Sequence, residues 1–197
     1  MNIWFATNNT HKKEELQAVL NTSLKIPSSE GINFAPEETG SHFYENALIK
    51  AIELQKLTGG NDPVIADDSG LCVDALNGRP GVLSARYGME SGKKLTSLEQ
   101  NIMLLDELSS AQDRSARFVC AMVLYFSKDR FFIFQETLEG KIVMKSEMKG
   151  DGGFGYDPVF FVPEYGRTLA ELSSEEKNKI SHRGKAGRLI ANVLWQK

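Results

Sequence analysis

Two long apolar runs separated by a short polar turn constrain the fold of this chain more than any other feature. The first run is ARFVCAMVLYF, residues 116–126, and the second is RFFIFQETL, residues 130–138. Both runs are rich in β-branched and aromatic residues, and the SKD between them is typical of a tight turn. The sequence therefore predicts an antiparallel hairpin, and with it a fold that contains a β-sheet.

Shorter strand-like and helical segments surround this hairpin. Apolar side chains recur at helical spacing in KKEELQAVL (12–20) and in a segment beginning at Ser41, which is its predicted N-cap. Capping boxes, in which Ser or Thr precedes Glu by three residues, predict helices over 96–108 and 173–180. Short apolar runs predict strands over 2–7, 24–27, 64–66, 71–76 and 158–162. This alternation predicts a single α/β domain, and a two-lobed form with the hairpin region in the second lobe fits the same pattern.

The overall composition excludes several classes of protein. The 197 residues are 41% hydrophobic and 25% charged, as in ordinary soluble globular proteins. A net charge of −3 argues against a surface that coats nucleic acid, although it allows a local basic pocket. No run of 18 apolar residues and no signal-like N-terminus is present, so we expect a cytoplasmic protein that does not contact a membrane.

Two adjacent carboxylates interrupt an apolar run at ADDSG, residues 66–70. Mg²⁺ prefers oxygen ligands and needs few protein carboxylates, so one acid from this stretch and one from APEETG (35–40) could share an ion. Asp67 or Asp68 would supply the first ligand, and Glu37 or Glu38 the second. The alternative is that Asp68 accepts backbone N–H bonds in an Asx turn that leads into Ser-Gly.

Two further stretches have the composition of an anion-binding site. In ATNNTHK, residues 6–12, a strand runs into a polar loop and then into a helix whose free N–H groups and Lys12 favour anions. In EEKNKISHRGK, residues 175–185, one helix carries Lys177 and the next begins with His182 and Arg183, of which Arg183 could hydrogen-bond a phosphate or a purine carbonyl. Ordinary capped helices with solvated basic residues are the alternative for both stretches.

A glycine-rich loop, GDGGFGYDP (150–158), could approach a ligand closely. Its glycines allow close backbone contact, and Phe154 and Tyr156 offer flat faces that could stack on a base. Asp157 adds an acceptor. A surface loop whose aromatic side chains pack on the core is the alternative.

The order of these motifs resembles the non-canonical purine nucleoside triphosphate pyrophosphatases, the inosine triphosphatase (ITPase) family. The resemblance extends from Thr7 to Arg183 and rests on TNNTHK, EETGSHFYENALIKA, ADDSGLCVDALNGRPGVLSARY, ARF, GFGYDPVFF and EEKNKISHRGKA. It implies an elongated mixed sheet with flanking helices, in two lobes around a central cleft, within one domain spanning residues 1–197. It also implies Mg²⁺ dependence, a homodimer, and hydrolysis of ITP, dITP and XTP to the monophosphate and pyrophosphate.

The same resemblance implies roles for individual residues. Asp68 would activate water and, with Glu37, bind Mg²⁺; Ser69 would contact the substrate. The remaining substrate-binding residues would be Thr7, Asn8, Asn9, Thr10, His11, Lys12 and Lys50 for the phosphates, and Phe154, Gly155, Tyr156, Asp157, Lys177, His182 and Arg183 for the nucleoside. The family usually has glycine where this chain has Asn8, which leaves the path of the phosphate loop open.

Two alternatives to this function remain at the level of sequence. One is a related nucleotide pyrophosphatase that acts on modified pyrimidine or methylated nucleotides. The other is a nucleotide sensor that binds without turnover, which the retention of Glu37, Asp67 and Asp68 disfavours.

Overall fold

The computed structural model of the protein describes residues 2–89, 95–150 and 153–195. Its α-helices are α1 (Thr10–Leu20), α2 (Phe43–Leu57), α3 (Ser97–Glu107), α4 (Ser174–Ile180) and α5 (His182–Leu194). Its strands are β1 (Trp4–Phe5), β2 (Val64–Val73), β3 (Ser115–Ser127), β4 (Arg130–Ile142), β5 (Phe160–Val162) and β6 (Arg167–Thr168). The strands form one sheet in the order β1-β2-β3-β4-β5-β6, which confirms the mixed α/β fold.

The chain divides into two compact units. Unit 1 comprises Met1–Ser69, Cys120–Glu136 and His182–Lys197, and unit 2 comprises Gly70–Val119 and Thr137–Ser181. Two segments within these bounds, residues 90–94 and 151–152, lie outside the described residues, so part of the predicted glycine-rich loop is not described.

Unit 1 has two apolar clusters that follow the alternation of side chains along its strands. β1 pairs in parallel with β2, with Trp4 opposite Val64 and Phe5 opposite Ile65. Phe5 and Ile65 pack in a cluster with residues of α1 and α5, whereas Trp4 and Val64 pack in a cluster with residues of α2. Because successive side chains of a strand point to opposite faces, the helices cover both faces of this pair.

The β2 strand is longer than the sequence predicted. We expected two strands, over 64–66 and 71–76, interrupted at Asp67-Asp68-Ser69-Gly70, but the extended conformation continues from Val64 through Val73. The predicted break was wrong because polar side chains that find buried partners can lie within a strand. Here Asp67 and Asp68 are both buried and both find partners within unit 1.

Unit 2 packs around a second core. Leu71, Leu104, Phe118 and Phe160 belong to one cluster of buried residues there. β5 pairs antiparallel with the end of β4, where Ile142 lies opposite Phe160, and β6 pairs antiparallel with β5.

The ends of three helices test the predicted caps. The capping boxes of α3 and α4 are confirmed, with Thr96 and Ser173 as N-caps. The predicted cap Ser41 was wrong by one residue, because α2 begins at Phe43 after His42. The Glu45 carboxylate accepts the N–H groups of both Ser41 and His42, at 2.7 and 3.1 Å, and so places the helix start one residue later.

Two other local expectations are resolved by the backbone. LKIP (24–27) forms only an isolated bridge from Lys25 to Trp4 before a 3-10 helix begins at Pro27, so the predicted strand was wrong. Within the described ranges, no helix combines the length and the apolarity needed to cross a membrane.

Candidate active site

The predicted site residues fall into two groups, one in each unit. The expected phosphate- and metal-binding residues, together with His182 and Arg183, belong to unit 1. The expected nucleoside-binding residues from Phe154 to Asp157, and Lys177, belong to unit 2.

The loop before α1 is held by its own polar side chains. The Thr7 hydroxyl accepts the N–H of Asn9 at 3.1 Å, and the Asn9 side chain caps the helix by accepting the N–H of Lys12 at 3.2 Å. Asn8 donates to the carbonyl of Phe34 at 3.0 Å and is not among the non-glycine residues with positive φ in the described chain. The loop therefore accommodates asparagine without a left-handed conformation. Thr10 and His11 form the first turn of the helix and are exposed.

Asp67 lies at the centre of a buried ionic network on the α1 and α5 face of β2. Its Oδ1 accepts from Lys12 Nζ at 3.0 Å, and its Oδ2 accepts from Arg183 Nε at 3.2 Å and from Ser69 Oγ at 3.3 Å. The other Arg183 nitrogens donate to Glu15 and to Ser69 Oγ, the latter at 2.9 Å. The network thus ties two helices to the strand, and all three guanidinium nitrogens of Arg183 donate within it.

Asp68 faces the opposite side of the strand, where α2 supplies its partners. Asn46 Nδ2 donates to Asp68 Oδ2 at 3.1 Å, and Lys50 Nζ donates to Asp68 Oδ1 at 3.1 Å. Lys50 also donates to Glu38 Oε1 at 3.2 Å. One ammonium therefore joins Asp68 to the acidic loop of residues 35–40.

The two adjacent aspartates have opposite pKa shifts. Burial raises the pKa of Asp68, and this effect exceeds the lowering by Lys50 and Lys12. Burial also tends to raise the pKa of Asp67, but the positive charges of Lys12 and Arg183 hold the pKa of that carboxyl well below its usual range. Asp68 is therefore better suited to accept a proton, whereas Asp67 is a fixed anion that holds cations in place.

The pKa values of Lys12 and Lys50 are shifted in opposite directions. Burial lowers the pKa of Lys12, and the neighbouring positive charges of Arg183 and Lys50 lower it further despite the attraction of Asp67. Against the effect of burial, Asp68 and other carboxylates raise the pKa of Lys50. A phosphate near Lys12 would relieve the repulsion among these cations.

The carboxylates of this group fit a hard cation such as Mg²⁺. Glu38 and Asp68 share one ammonium, and Glu37 is exposed on the same loop as Glu38. Among the described residues no three His, Cys, Asp or Glu side chains cluster as a complete protein cage. Mg²⁺ commonly binds through one or two carboxylates together with waters and phosphates, so two acids suffice.

The glycine-rich loop of unit 2 closes around Asp157, which is buried. Its Oδ2 accepts the N–H of Phe154 at 2.7 Å and Lys177 Nζ at 2.8 Å. That ammonium lies 4.8 Å from the centre of the Phe154 ring, within cation–π range. Gly153 has φ +72°, and a Cβ there would lie 2.0 Å from Asp157 Oδ2, so this position requires glycine.

Tyr156 and Phe154 have different surroundings. Tyr156 is buried, and its hydroxyl donates to the carbonyl of Ser84 at 2.8 Å, so it anchors the loop. Phe154 and Gly155 line a cavity of about 540 Å³ together with residues of α3, which include Asn101. The Asn101 amide nitrogen donates to the carbonyl of Gly155 at 3.0 Å, whereas its buried Oδ1 has no partner among the described residues.

Comparison with known proteins decides the family. The model of the Ham1 family matches residues 3–193. The chain belongs to the Ham1 family.

Relatives within the Ham1 family match the chain over nearly its full length. A dITP/XTP pyrophosphatase of Treponema denticola is 51% identical over 187 residues, which cover 94% of each chain. A dITP/XTP pyrophosphatase of Staphylococcus epidermidis is 44% identical and covers 98% of this chain and 95% of its own. A HAM1 protein structure from Coxiella burnetii superposes with a TM-score of 0.85 at 42% identity, covering 98% of each chain.

Three residues of this Ham1 family chain have contacts in the candidate site although the sequence did not single them out for it. They are Glu15, Asn46 and Asn101. Glu38 was predicted as a possible metal ligand, but its pairing with Lys50 was not. Asn46 precedes Lys50 by four residues, so helical spacing alone could have placed both on one face of α2. The other contacts join residues far apart in the chain and leave no local pattern.

Proposed function

We propose that this protein hydrolyses non-canonical purine nucleoside triphosphates, namely ITP, dITP and XTP, to the monophosphate and pyrophosphate. The observation that carries the proposal is the 51% identity, over 94% of both chains, to a protein named dITP/XTP pyrophosphatase. The buried carboxylate and ammonium groups of unit 1 support it, because hydrolysis of a triphosphate needs a proton acceptor and cations near the phosphates.

Asp68 is the catalytic base in this mechanism. It takes a proton from a water molecule whose oxygen forms a bond to the α-phosphorus, while the bond from that phosphorus to the bridging oxygen of the β-phosphate breaks. Pyrophosphate leaves with the electron pair of the broken bond. Burial raises the pKa of Asp68, which makes its carboxylate a better proton acceptor than that of an exposed aspartate.

The cations offset charge on the phosphates. Lys12 and Lys50 contact the triphosphate. The loop residues Thr7, Asn8 and Asn9 receive it together with Thr10 and His11 in the first turn of α1. Mg²⁺ would be held by Glu37 and Asp68, and it would neutralise charge on the phosphate oxygens. Ser69 contacts the substrate beside Asp68.

Selectivity for the base is assigned to the residues that the family resemblance implies for the nucleoside. Phe154 stacks on the purine, Gly155, Tyr156 and Asp157 shape its pocket, and Lys177, His182 and Arg183 provide donors to a 6-oxo group. Adenine presents an amino group there and would leave those donors unpaired. A site that hydrogen-bonds one group can reject an analogue lacking it by about 10⁴-fold.

We further propose that residues 1–197 act as one domain, that the protein is cytoplasmic and homodimeric, and that it binds neither nucleic acid nor membrane. The net charge of −3 supports the absence of a nucleic-acid surface.

A pyrophosphate-release assay tests this function. Wild-type protein should release pyrophosphate from ITP, dITP and XTP far faster than from ATP and GTP, and chelation of divalent cations should abolish release. Asp68→Asn should bind ITP but lose turnover by about 10²-fold or more, because the proton acceptor is gone. Preference for a modified pyrimidine or methylated nucleotide would overturn the substrate assignment, and near-normal turnover by Asp68→Asn would remove Asp68 from its role.

A further inference from the structure

Asn46 on α2 is completely buried, and the oxygen and the nitrogen of its amide form hydrogen bonds with two different segments of the chain. Its Oδ1 accepts the N–H of Gly40 at 2.8 Å, and its Nδ2 donates to Asp68 Oδ2 at 3.1 Å. Gly40 closes the acidic loop that carries Glu37 and Glu38. Asn46 is therefore the point where this loop, α2 and β2 meet.

Only one orientation of the Asn46 amide makes both of its hydrogen bonds. A backbone N–H can only donate, so the atom facing Gly40 must be the amide oxygen. The amide nitrogen then faces Asp68, whose ionised carboxylate can only accept. The bond to Gly40 thus fixes the bond to Asp68.

Gly40 is fitted to this contact. A Cβ at Gly40 would lie 2.7 Å from Asn46 Oδ1 and 2.6 Å from Glu45 Cβ, which is closer than carbon and oxygen atoms can pack. A larger residue would push the loop away from α2. The absence of a side chain at position 40 therefore serves the approach of the loop to Asn46.

Lys50, one turn along the same face of α2, completes the arrangement around Asp68. Lys50 donates to Asp68 Oδ1 while Asn46 donates to Asp68 Oδ2, so each oxygen has one fixed donor. Two donors from one rigid helix hold the plane of the carboxylate, and each oxygen retains further lone pairs for other partners.

We propose that Asn46 is a positioning residue for hydrolysis: it orients the carboxylate of Asp68 and, through Gly40, fixes the acidic loop to the same helix. This inference rests on the proposed role of Asp68 as the base. Asn46 contacts the Asp68 carboxylate, and its effect on the reaction passes through Asp68.

Two substitutions separate the two bonds of Asn46. Asn46→Asp keeps the size of the side chain and an acceptor for Gly40, but it replaces the donor to Asp68 by a second carboxylate. Gly40→Ala instead disturbs the loop contact and leaves the amide donor. Gln55→Glu is the matched control, because Gln55 lies on the same helix and its amide donates to the carbonyl of Phe126 at 2.6 Å, away from Asp68.

Steady-state kinetics with ITP and amide hydrogen exchange of the nucleotide-free, metal-free protein are measured on each variant. Asn46→Asp should lower kcat by about 10–100-fold with little change in KM, since losing a supporting partner typically costs this much. The amide of residue 40 should stay protected in Asn46→Asp and exchange faster in Gly40→Ala. Gln55→Glu should keep wild-type kcat.

Other results would overturn the inference. A wild-type kcat in Asn46→Asp would remove the positioning role, and a loss of kcat in Gln55→Glu equal to that in Asn46→Asp would show a general disturbance of α2. Loss of protection at residue 40 in Asn46→Asp would indicate a merely structural role. If Asn46→Asp does not fold, Asn46→Ser, which is smaller and neutral, is assayed in the same way. Absence of wild-type turnover on ITP would instead contradict the proposed function.

Discussion

At the scale of single residues, the strand decides what two neighbouring carboxylates do. Asp67 and Asp68 have the same side chain, and both are buried. Alternation along β2 turns Asp67 towards Lys12 and Arg183 and turns Asp68 towards Asn46 and Lys50. Asp67 becomes a fixed anion with a lowered pKa and Asp68 a carboxyl with a raised pKa. The pair avoids mutual repulsion because its members occupy opposite faces.

The network around Arg183 predicts a large loss of stability when this residue is removed. Arg183→Ala would leave Asp67 and Glu15 without the guanidinium that pairs with both, and breaking a buried ion pair costs about 3–5 kcal/mol. Denaturant unfolding measures this loss. Arg188→Ala, at an exposed position on the same helix, is the control and should change the free energy of unfolding far less. Equal losses in the two variants would contradict a structural role for the network.

At the scale of elements, local signals placed the helices better than the strands. The boxes at Thr96 and Ser173 predicted the starts of α3 and α4 correctly, because capping is completed within four residues. The β2 strand was predicted with a break and LKIP as a strand, because strand formation depends on partners distant in the chain. No local pattern at Asp67 indicates that Lys12 and Arg183 will neutralise it.

The capping box of α4 predicts a stability that depends on pH. The backbone N–H of Ser173, then Arg167 and the Ser173 hydroxyl, lower the pKa of Glu176 to about 2. A folded-state pKa below the unfolded value stabilises the protein above the unfolded value, and this contribution disappears as the pH falls towards about 2.

Glu176→Gln should therefore lower the melting temperature at pH 7, and the difference from wild type should shrink steadily as the pH is lowered. Thermal unfolding between neutral and acidic pH measures both. Glu175→Gln, which removes a carboxylate from an exposed pair with Lys179, should have a smaller effect. A difference for Glu176→Gln that is the same at every pH would contradict the assigned cause.

At the scale of the whole molecule, two exposed apolar surfaces could form the proposed homodimer. Phe131, Phe132 and Ile133 are exposed at the start of β4, and Leu98 and Met103 are exposed on α3. The three residues at the start of β4 lie where the described strand does not pair with β5, so this stretch exposes apolar side chains on both faces beside an open strand edge. We expect a second copy of the chain to cover the start of β4.

Phe132→Glu should accordingly shift the protein from dimer to monomer in sedimentation velocity, because a charge would be buried at the interface. Leu98→Glu should leave the dimer intact. Dissociation by Leu98→Glu instead of Phe132→Glu would move the interface to α3, and a monomeric wild type would overturn the homodimer itself.

The amino-acid sequence by itself determined the class of fold, the starts of α3 and α4, and the motifs that mark the family, because these depend on short-range spacing and side-chain chemistry. Only the tertiary structure decided the partners of each charged group. Asp67 pairs with Arg183 and Asp68 with Asn46 because distant segments converge on opposite faces of one strand. Burial and nearby charge, which set the two pKa values in opposite directions, arise only when those segments pack together.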